Sequence, residues 1–497
     1  MIKNSLLSLF ALLILLTQFS CSPASEKPTQ LPPPNIVFLF ADDMTYTAIQ
    51  ALGNDEIETP NLDKLVHQGT TFTHTYNMGG WNGAVCVASR SMMISGRSIW
   101  RANQFKDQWQ QNDSLALAQT WGNLMEQQGY NTYLTGKWHV AANPDSVFQT
   151  VRHVRPGMPG DFRSQGSFDS PETMPLGYNR PKSEQDTSWS PYDTAMGGFW
   201  EGGQHWSEVL RDDAIDFLDS ATANPDPFFM YLAFNAPHDP RQAPKEFVDR
   251  YPLDSISLPA SWLPRYPYDE DIGLGAKLRD EALAPFPRTE YATKVHMQEY
   301  YAIITHLDEQ IGKILDALEA SGKMENTYIF FSADHGLSVG RHGLLGKQNM
   351  YDHSVRVPLM MVGPSIPANQ EIDTDVYLQD IMATSLELAN IQKPDYVDFN
   401  SFLGLATGES TTGAYDAIYG SYINYQRMIR KDGMKLIVYP DINQVLLYDL
   451  KQDPYETTNL ADDPAYTDQV ASLFQDLQAL QQQYADTLDL EPVYNQL

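Results

Sequence analysis

Cysteine is nearly missing from this 497-residue chain, which has only Cys21 and Cys86. Two cysteines exclude a disulfide-rich scaffold. Cys21 belongs to an N-terminal segment with the marks of an export signal, so processing there leaves Cys86 without an intramolecular partner. Positive charge is scarce as well: 33 Lys and Arg stand against 63 Asp and Glu, a formal net charge of −30. That balance argues against nucleic acid, whose phosphates require clustered cations. It also argues against broad attraction of a polyanion, so any anionic ligand needs a local cationic pocket. Long apolar runs are absent beyond the N-terminus. Leu6 to Leu16 is apolar but too short to span a bilayer comfortably, and no later run is long enough or apolar enough for a transmembrane helix. No tandem repeat is present.

What is there supports a large folded protein. Hydrophobic residues make up 42% of the chain and aromatics 11%, enough for a sizeable core. The length exceeds one ordinary domain and suits a large α/β domain with an appendage. Lys3 precedes the apolar run, and TQFSC ends at Cys21 in the manner of a loose lipid-attachment site. Residues 1–21 are therefore expected to be a signal of lipoprotein type, with Cys21 lipidated or lost by cleavage nearby. Residues 22–34, rich in Pro, Ser, Thr and Gln, read as an extended tether. The expected location is the periplasm, free in solution or hung from the outer membrane by a lipid on Cys21, with the cell surface as a further alternative.

Four apolar runs end in polar, reactive residues. NIVFLFADD ends at Asp42 and Asp43, YNTYLTGKWH at Lys137 and His139, PFFMYLAFNAPHDP at His238 and TYIFFSADHG at Asp334 and His335. Such runs fit buried strands of a largely parallel sheet. Helical patterns lie between them: TPNLDKLVHQG with Thr59 as cap and Gly69 as stop, Ser114 to Gly129, WSEVLRDDAIDFLDS, and YYAIITHLDEQIGKILDALEASG. This alternation predicts an open α/β sheet covered by helices on both faces, with ligands beyond the carboxyl ends of the strands. DVYLQDIMATSLELANI reads as one more helix of the main domain, placed at 35–400. Residues 401–497 read as a small antiparallel sheet, from AIYGSY, MKLIVYP and QVLLYDL, with a helix over Tyr466 to Tyr484 packed on it.

The strand ends carry chemistry. Asp42 and Asp43 adjoin, so their alternating side chains serve one ion only if the strand breaks into a turn there. With Asp334 they form an oxygen-rich set suited to calcium, magnesium or manganese, to which His335 is a less expected addition. Lys137, His139, His238 and Lys347 are candidate cations or proton donors near that set. Cys86 stands at the start of a predicted helix in CVASRSMMISGR.

CVASR followed by SMMISGR resembles the sulfatase signature, through Cys86, Ala88, Ser89, Arg90, Gly96 and Arg97. GKWH, the SADHG-to-Lys347 spacing and LYDLKQDPYETTNLA extend the resemblance over most of the mature chain. The resemblance implies an alkaline phosphatase-like fold and a sulfuric ester hydrolase of the Asp-His branch, which includes iduronate and choline sulfatases. It implies that Cys86 is oxidised to formylglycine by a formylglycine-generating or anaerobic sulfatase-maturing enzyme, and that the hydrated aldehyde attacks sulfur to form a covalent sulfo-enzyme. It further implies one calcium ion on Asp42, Asp43, residue 86, Asp334 and His335. Arg90 would hold the hydrate, Lys137, Lys347 and His238 would bind sulfate oxygens, and His139 would help expel sulfate. His205 and Arg241 are candidate substrate contacts in linking stretches, and Trp206 is either a sugar platform or core. PHDPRQAP and APFPRT resemble stretches of bacterial sulfatases that occur among polysaccharide-degrading enzymes. Together with export, this resemblance implies a sulfated oligosaccharide, such as a marine algal glycan, rather than a small aryl or choline ester as substrate. Alternatives are a phosphodiesterase or phosphonate monoester hydrolase of the same superfamily, or a glycan-binding lipoprotein if Cys86 stays unmodified.

Overall fold

The computed structural model describes residues 32–160, 166, 167, 169, 170 and 172–496, so the export segment, Cys21 and nearly all of the tether lie outside the described residues. Each of the four apolar runs is a strand: Asn35–Ala41, Asn131–Lys137, Phe228–Ala233 and Thr327–Ala333. They sit side by side in an eight-stranded sheet, with Asn35–Ala41 between Thr327–Ala333 and Phe228–Ala233, and Asn131–Lys137 next outward. All four run parallel, in a register that aligns Ala41 with Ala333, Phe40 with Ala233, and Ala233 with Gly136. Side chains that follow these aligned residues therefore emerge together at one sheet edge. Thr150–Arg155 extends the sheet in parallel on one side. On the other side Leu359–Val362 runs antiparallel to both its neighbours, Thr327–Ala333 and Thr70–Phe72, making the sheet mostly rather than wholly parallel.

Every residue of the central strand is buried, as a strand covered on both faces requires. Aromatic packing fills the layer beside it: Phe38 and Tyr231 meet edge-on at 5.5 Å, and Trp121 lies 4.7 Å from Phe229. Pro60–Gln68, Trp206–Thr222 and Glu290–Ala320 pack together as one helical group, and Val85–Ser95, Trp121–Gln127 and Asp380–Leu388 as another. Three helices differ from their sequence patterns. DVYLQDIMATSLELANI opens as the short strand Val376–Tyr377, and its helix runs only over Asp380–Leu388, where Asp380 accepts a hydrogen bond from the Tyr377 amide at 2.9 Å. Ser114 to Gly129 is not continuous; it forms Ser114–Leu117 and Trp121–Gln127, because Thr120 is extended (φ −82°, ψ 152°) and caps the restart. The helix read from Tyr300 starts ten residues earlier, where Thr289 accepts a hydrogen bond from the Ala292 amide at 3.1 Å.

A second sheet orders Gln444–Asp449, Met434–Tyr439, Gln426–Lys431 and Ile418–Tyr422 antiparallel, with Thr467–Gln483 packed on it. Its last strand is not local: Gly79–Gly80 pairs in parallel with Ser421 and Tyr422. The loop that leads into the Cys86 helix is thereby stitched to the C-terminal sheet. Residues Pro34–Leu497 form one compact unit. No helix among the described residues is long and apolar enough to cross a membrane.

Candidate active site

The four parallel strands deliver their terminal residues to one place. Asp43 takes a left-handed backbone conformation (φ 67°), which breaks the strand alternation and lets both Asp42 and Asp43 face one centre. Asp334, next along from the aligned Ala333, accepts hydrogen bonds at Oδ1 from the amides of Asp43 (3.2 Å) and His335 (3.0 Å). Its Oδ2 accepts from Arg90 Nε at 2.9 Å. Its carbonyl accepts from Ser89 Oγ at 2.7 Å and Asn77 Nδ2 at 2.5 Å. Arg90 also donates to the Lys137 carbonyl at 2.9 Å, so one buried guanidinium ties the Cys86 helix to two strand ends.

Cys86 is the second residue of the helix Val85–Ser95 and is buried. Its Sγ lies 3.3 Å from His335 Nε2 and 3.4 Å from Lys347 Nζ. Lys347 bridges both oxygens of Asp43 at 2.7 Å each. Lys137 pairs with Asp42 and is fully buried behind it. Burial alone would push the Cys86 thiol up, but Lys137, Lys347 and His335 outweigh it and hold the thiol well below its ordinary range. His335 is raised to about 8: burial opposes its charge, and Asp334 and Asp43 overcome that. His139 is held below its usual range, mainly by burial.

Above the sulfur opens a cavity of about 280 Å³ lined by Cys86, His139, His238, Arg279, Asp280 and Lys347, among others. His238 Nδ1 lies 2.6 Å from the Asp239 carbonyl, and its Nε2 lies 3.2 Å from Arg279 Nη2. The His139 ring presses on Gly157, where a Cβ would fall 2.4 Å from the ring.

The residues fit a hard divalent cation. Donor atoms of Asp42, Asp43, Cys86 and His335 all lie within 4.8 Å of one another. Among the described residues Asp42 Oδ1 is buried with no hydrogen-bond partner and with Arg90 Nη2 no nearer than 3.8 Å, an arrangement that is costly for a carboxylate oxygen unless an ion meets it. Asp334 adjoins this group, with Oδ1 3.6 Å from His335 Nε2, but its oxygens are already shared with the amides and Arg90. Charge points the same way. Five covered carboxylates (Asp42, Asp43, Asp239, Asp280, Asp334) face four cations (Arg90, Lys137, Arg279, Lys347), and a His335 raised to about 8 adds at most one positive charge, so the centre holds no positive surplus. A divalent ion supplies that surplus, which binding of an anionic ester demands.

The profile of the family described as "Sulfatase" matches residues 34–391, most of the chain. This chain belongs to the sulfatase family. A second profile, "N-sulphoglucosamine sulphohydrolase, C-terminal", matches residues 340–483 of the sulfatase. It is 26% identical over 558 residues to an N-acetylglucosamine-6-O-sulfatase of Bacteroides thetaiotaomicron, covering 97% of this chain and 92% of that protein. It is 26% identical to an ulvan-active sulfatase of Formosa agariphila, covering 92% and 83%. A solved structure in complex with its substrate D-glucosamine-2-N,6-O-disulfate shares the fold, with a TM-score of 0.70 at 24% identity, covering 92% of this chain and 99% of that one. The protein is a sulfuric ester hydrolase with the alkaline phosphatase-like fold, in a family that generally uses formylglycine and a divalent metal.

Of the residues singled out from sequence, the structure gathers Asp42, Asp43, Cys86, Arg90, Lys137, His139, His238, Asp334, His335 and Lys347 around the centre. It does not bring His205 or Arg241 to the cavity. His205 is buried as the cap of Trp206–Thr222, where it accepts from the Ser207 amide and meets the Gln242 carbonyl at 3.0 Å. Trp206 packs against the core, under the Arg155 guanidinium. Arg241 is buried 3.1 Å from His296 Nδ1. The cavity wall is instead supplied by Arg279, Asp280 and Gln348. Asp280 accepts from Gln348 Nε2 at 2.6 Å, and Gln348 also donates to the Gly83 carbonyl at 3.0 Å. Nothing in KLRDEA marks the first two, because an irregular segment carries no periodicity to read.

Proposed function

We propose that this protein is an exported sulfatase that removes sulfate from sulfated oligosaccharides, with residue 86 as formylglycine and calcium as its ion. The carrying observation is the position of Cys86 Sγ at the floor of the cavity, 3.4 Å from Lys347 Nζ and against the Asp42–Asp43 pair. Oxidised and hydrated, residue 86 would supply the oxygen nucleophile that attack on sulfur needs. The ion, held by Asp42, Asp43, residue 86 and His335 beside Asp334, would supply positive charge next to the nucleophile and the sulfate oxygens.

The other tasks fall to side chains in place. Net hydrolysis takes water and a sulfate ester to an alcohol and sulfate, so a proton must reach the leaving oxygen. Lys347 and His238 line the cavity and are the donors within reach of a bound ester, whereas Lys137 lies behind Asp42 and acts through the field it sets. Arg90 fixes Asp334 and the end of the Lys137 strand rather than facing the cavity. His139 stands over the sulfur side of the cavity with Nδ1 free of any hydrogen-bond partner among the described residues, suited to moving a proton when the aldehyde is regenerated.

Relatives that bear glycan names support a carbohydrate substrate, and the export signal supports action outside the cytoplasm, with Cys21 as a lipid anchor. The test is mass spectrometry of the peptide that contains residue 86, from protein co-expressed with a sulfatase-maturing enzyme. The thiol converted to an aldehyde is the expected result. An unmodified thiol in protein that still releases sulfate would remove formylglycine from the mechanism. Release of phosphonate or phosphodiester leaving groups in preference to sulfate would favour the related hydrolases instead.

A further inference from the structure

The cavity wall away from the nucleophile is built around one guanidinium. Arg279 is 27% exposed, while its partners Asp239 and Asp280 are 4% and 3% exposed. Nε and Nη2 contact Asp280 at 2.6 and 2.5 Å, and Nη2 stands 3.6 Å from Asp239. The carboxylate oxygens are spent: Asp280 also takes Gln348 Nε2, and Asp239 takes the Tyr178 hydroxyl at 2.5 Å and faces His238 Nδ1 at 3.2 Å. One end of the guanidinium is not spent. Among the described residues Nη1 meets only the thioether sulfur of Met158, at 3.0 Å, a weak acceptor.

Resting on the sulfatase reading above, we infer that Arg279 is a specificity residue that binds a second anionic group on the sulfated sugar, a further sulfate or a uronate carboxylate. A preorganised guanidinium with Nη1 open gains most from a planar or tetrahedral oxyanion, which accepts a charge-assisted hydrogen bond. A neutral hydroxyl gains less, and it would also seek an acceptor on this wall, where among the described residues both neighbouring carboxylates are covered and engaged. The carboxylate pair fixes the guanidinium before the ligand arrives, so little side-chain entropy is lost on binding. Leu278 beside it supplies an apolar contact for a ring face.

Binding to the Cys86→Ala protein, in calcium-containing buffer, separates this from turnover. Isothermal titration compares two ligand pairs: N-acetylglucosamine 6-sulfate with glucosamine 2-N,6-O-disulfate, and glucose 2-sulfate with glucuronate 2-sulfate. The doubly anionic member of at least one pair is expected to bind tenfold or more tightly, and the pair that shows it tells sulfate from carboxylate. Adding Arg279→Gln should bring that ratio to within about twofold, a loss of roughly 1 kcal/mol or more of discrimination. Arg279→Lys keeps the charge beside Asp280 and should retain only part of the ratio, so it carries the test if the glutamine variant melts early. Equal affinities within both pairs, no binding of any ligand, or an undiminished ratio in the Arg279 variants would overturn the proposal. Tight, selective binding by a wild-type protein that releases no sulfate would sink the hydrolase reading and leave this one standing.

Discussion

Single residues decide whether the centre is assembled. Gly157 has no φ that requires glycine, yet a Cβ there would sit 2.4–2.8 Å from three atoms of the His139 ring. Gly157→Ala should therefore displace His139 and lower kcat tenfold or more while the melting temperature moves little, since the ring can swing into the cavity. Unchanged kcat would show that His139 takes no part in turnover. Lys347 carries a different prediction. It neutralises Asp43 and faces the sulfur, and its ammonium is held above its usual range against the pull of burial, by Asp43 in the main. Lys347→Ala should cost roughly a hundredfold in kcat/KM, about 3 kcal/mol of transition-state stabilisation, read by steady-state kinetics. Wild-type kinetics in that variant would return the proton-donor role to His238. Cys86 and the Asp pair were legible because motif and strand end coincide in the sequence. Arg279 was not, because Asp239 and His238, which with its neighbour Asp280 fix the guanidinium, reach it only in space.

Secondary elements fix how precisely these residues meet. The loop ahead of Cys86 is anchored where Gly79 adopts φ 87° and a Cβ would fall 2.0 Å from the Ser421 carbonyl. Gly79→Ala should strain the backbone by about 1–3 kcal/mol and push the C-terminal sheet off that loop. Thermal melting and residual sulfatase activity should fall together; loss of neither would show that the Gly79–Gly80 pairing is dispensable. The 279–281 segment clamps the loop on the far side. Glu281 accepts the amides of Leu345 (2.9 Å) and Gly346 (2.8 Å) and pairs with Arg288, just ahead of Lys347. Strand identity was readable from four apolar runs, since continuous burial leaves a plain signature. The break at Thr120 was not, because its apolar spacing continues through the turn and only the backbone shows the restart.

At the scale of the whole molecule, the acidity of the chain and its task pull in opposite directions. A net charge of −30 repels sulfate esters, and the buried centre offers no surplus of positive charge against it. The pocket is thus not made cationic by Lys137 and Lys347, as the sequence alone leads one to expect, because each already faces a carboxylate. The ion has to supply the excess. Calcium at a hundredfold its dissociation constant should raise stability by about 2.7 kcal/mol, seen as a higher melting temperature, and a chelator should reverse it. A melting curve indifferent to calcium, magnesium and chelator alike would contradict the ion site.

The most direct test of the central claim is sulfate release itself. Purified protein matured on residue 86 is incubated with a panel of sulfated oligosaccharides, and free sulfate is quantified by ion chromatography beside the Cys86→Ala variant. Release by the matured protein on at least one glycan, with none from the folded variant, is the predicted result. Equal release from both proteins would contradict catalysis through residue 86.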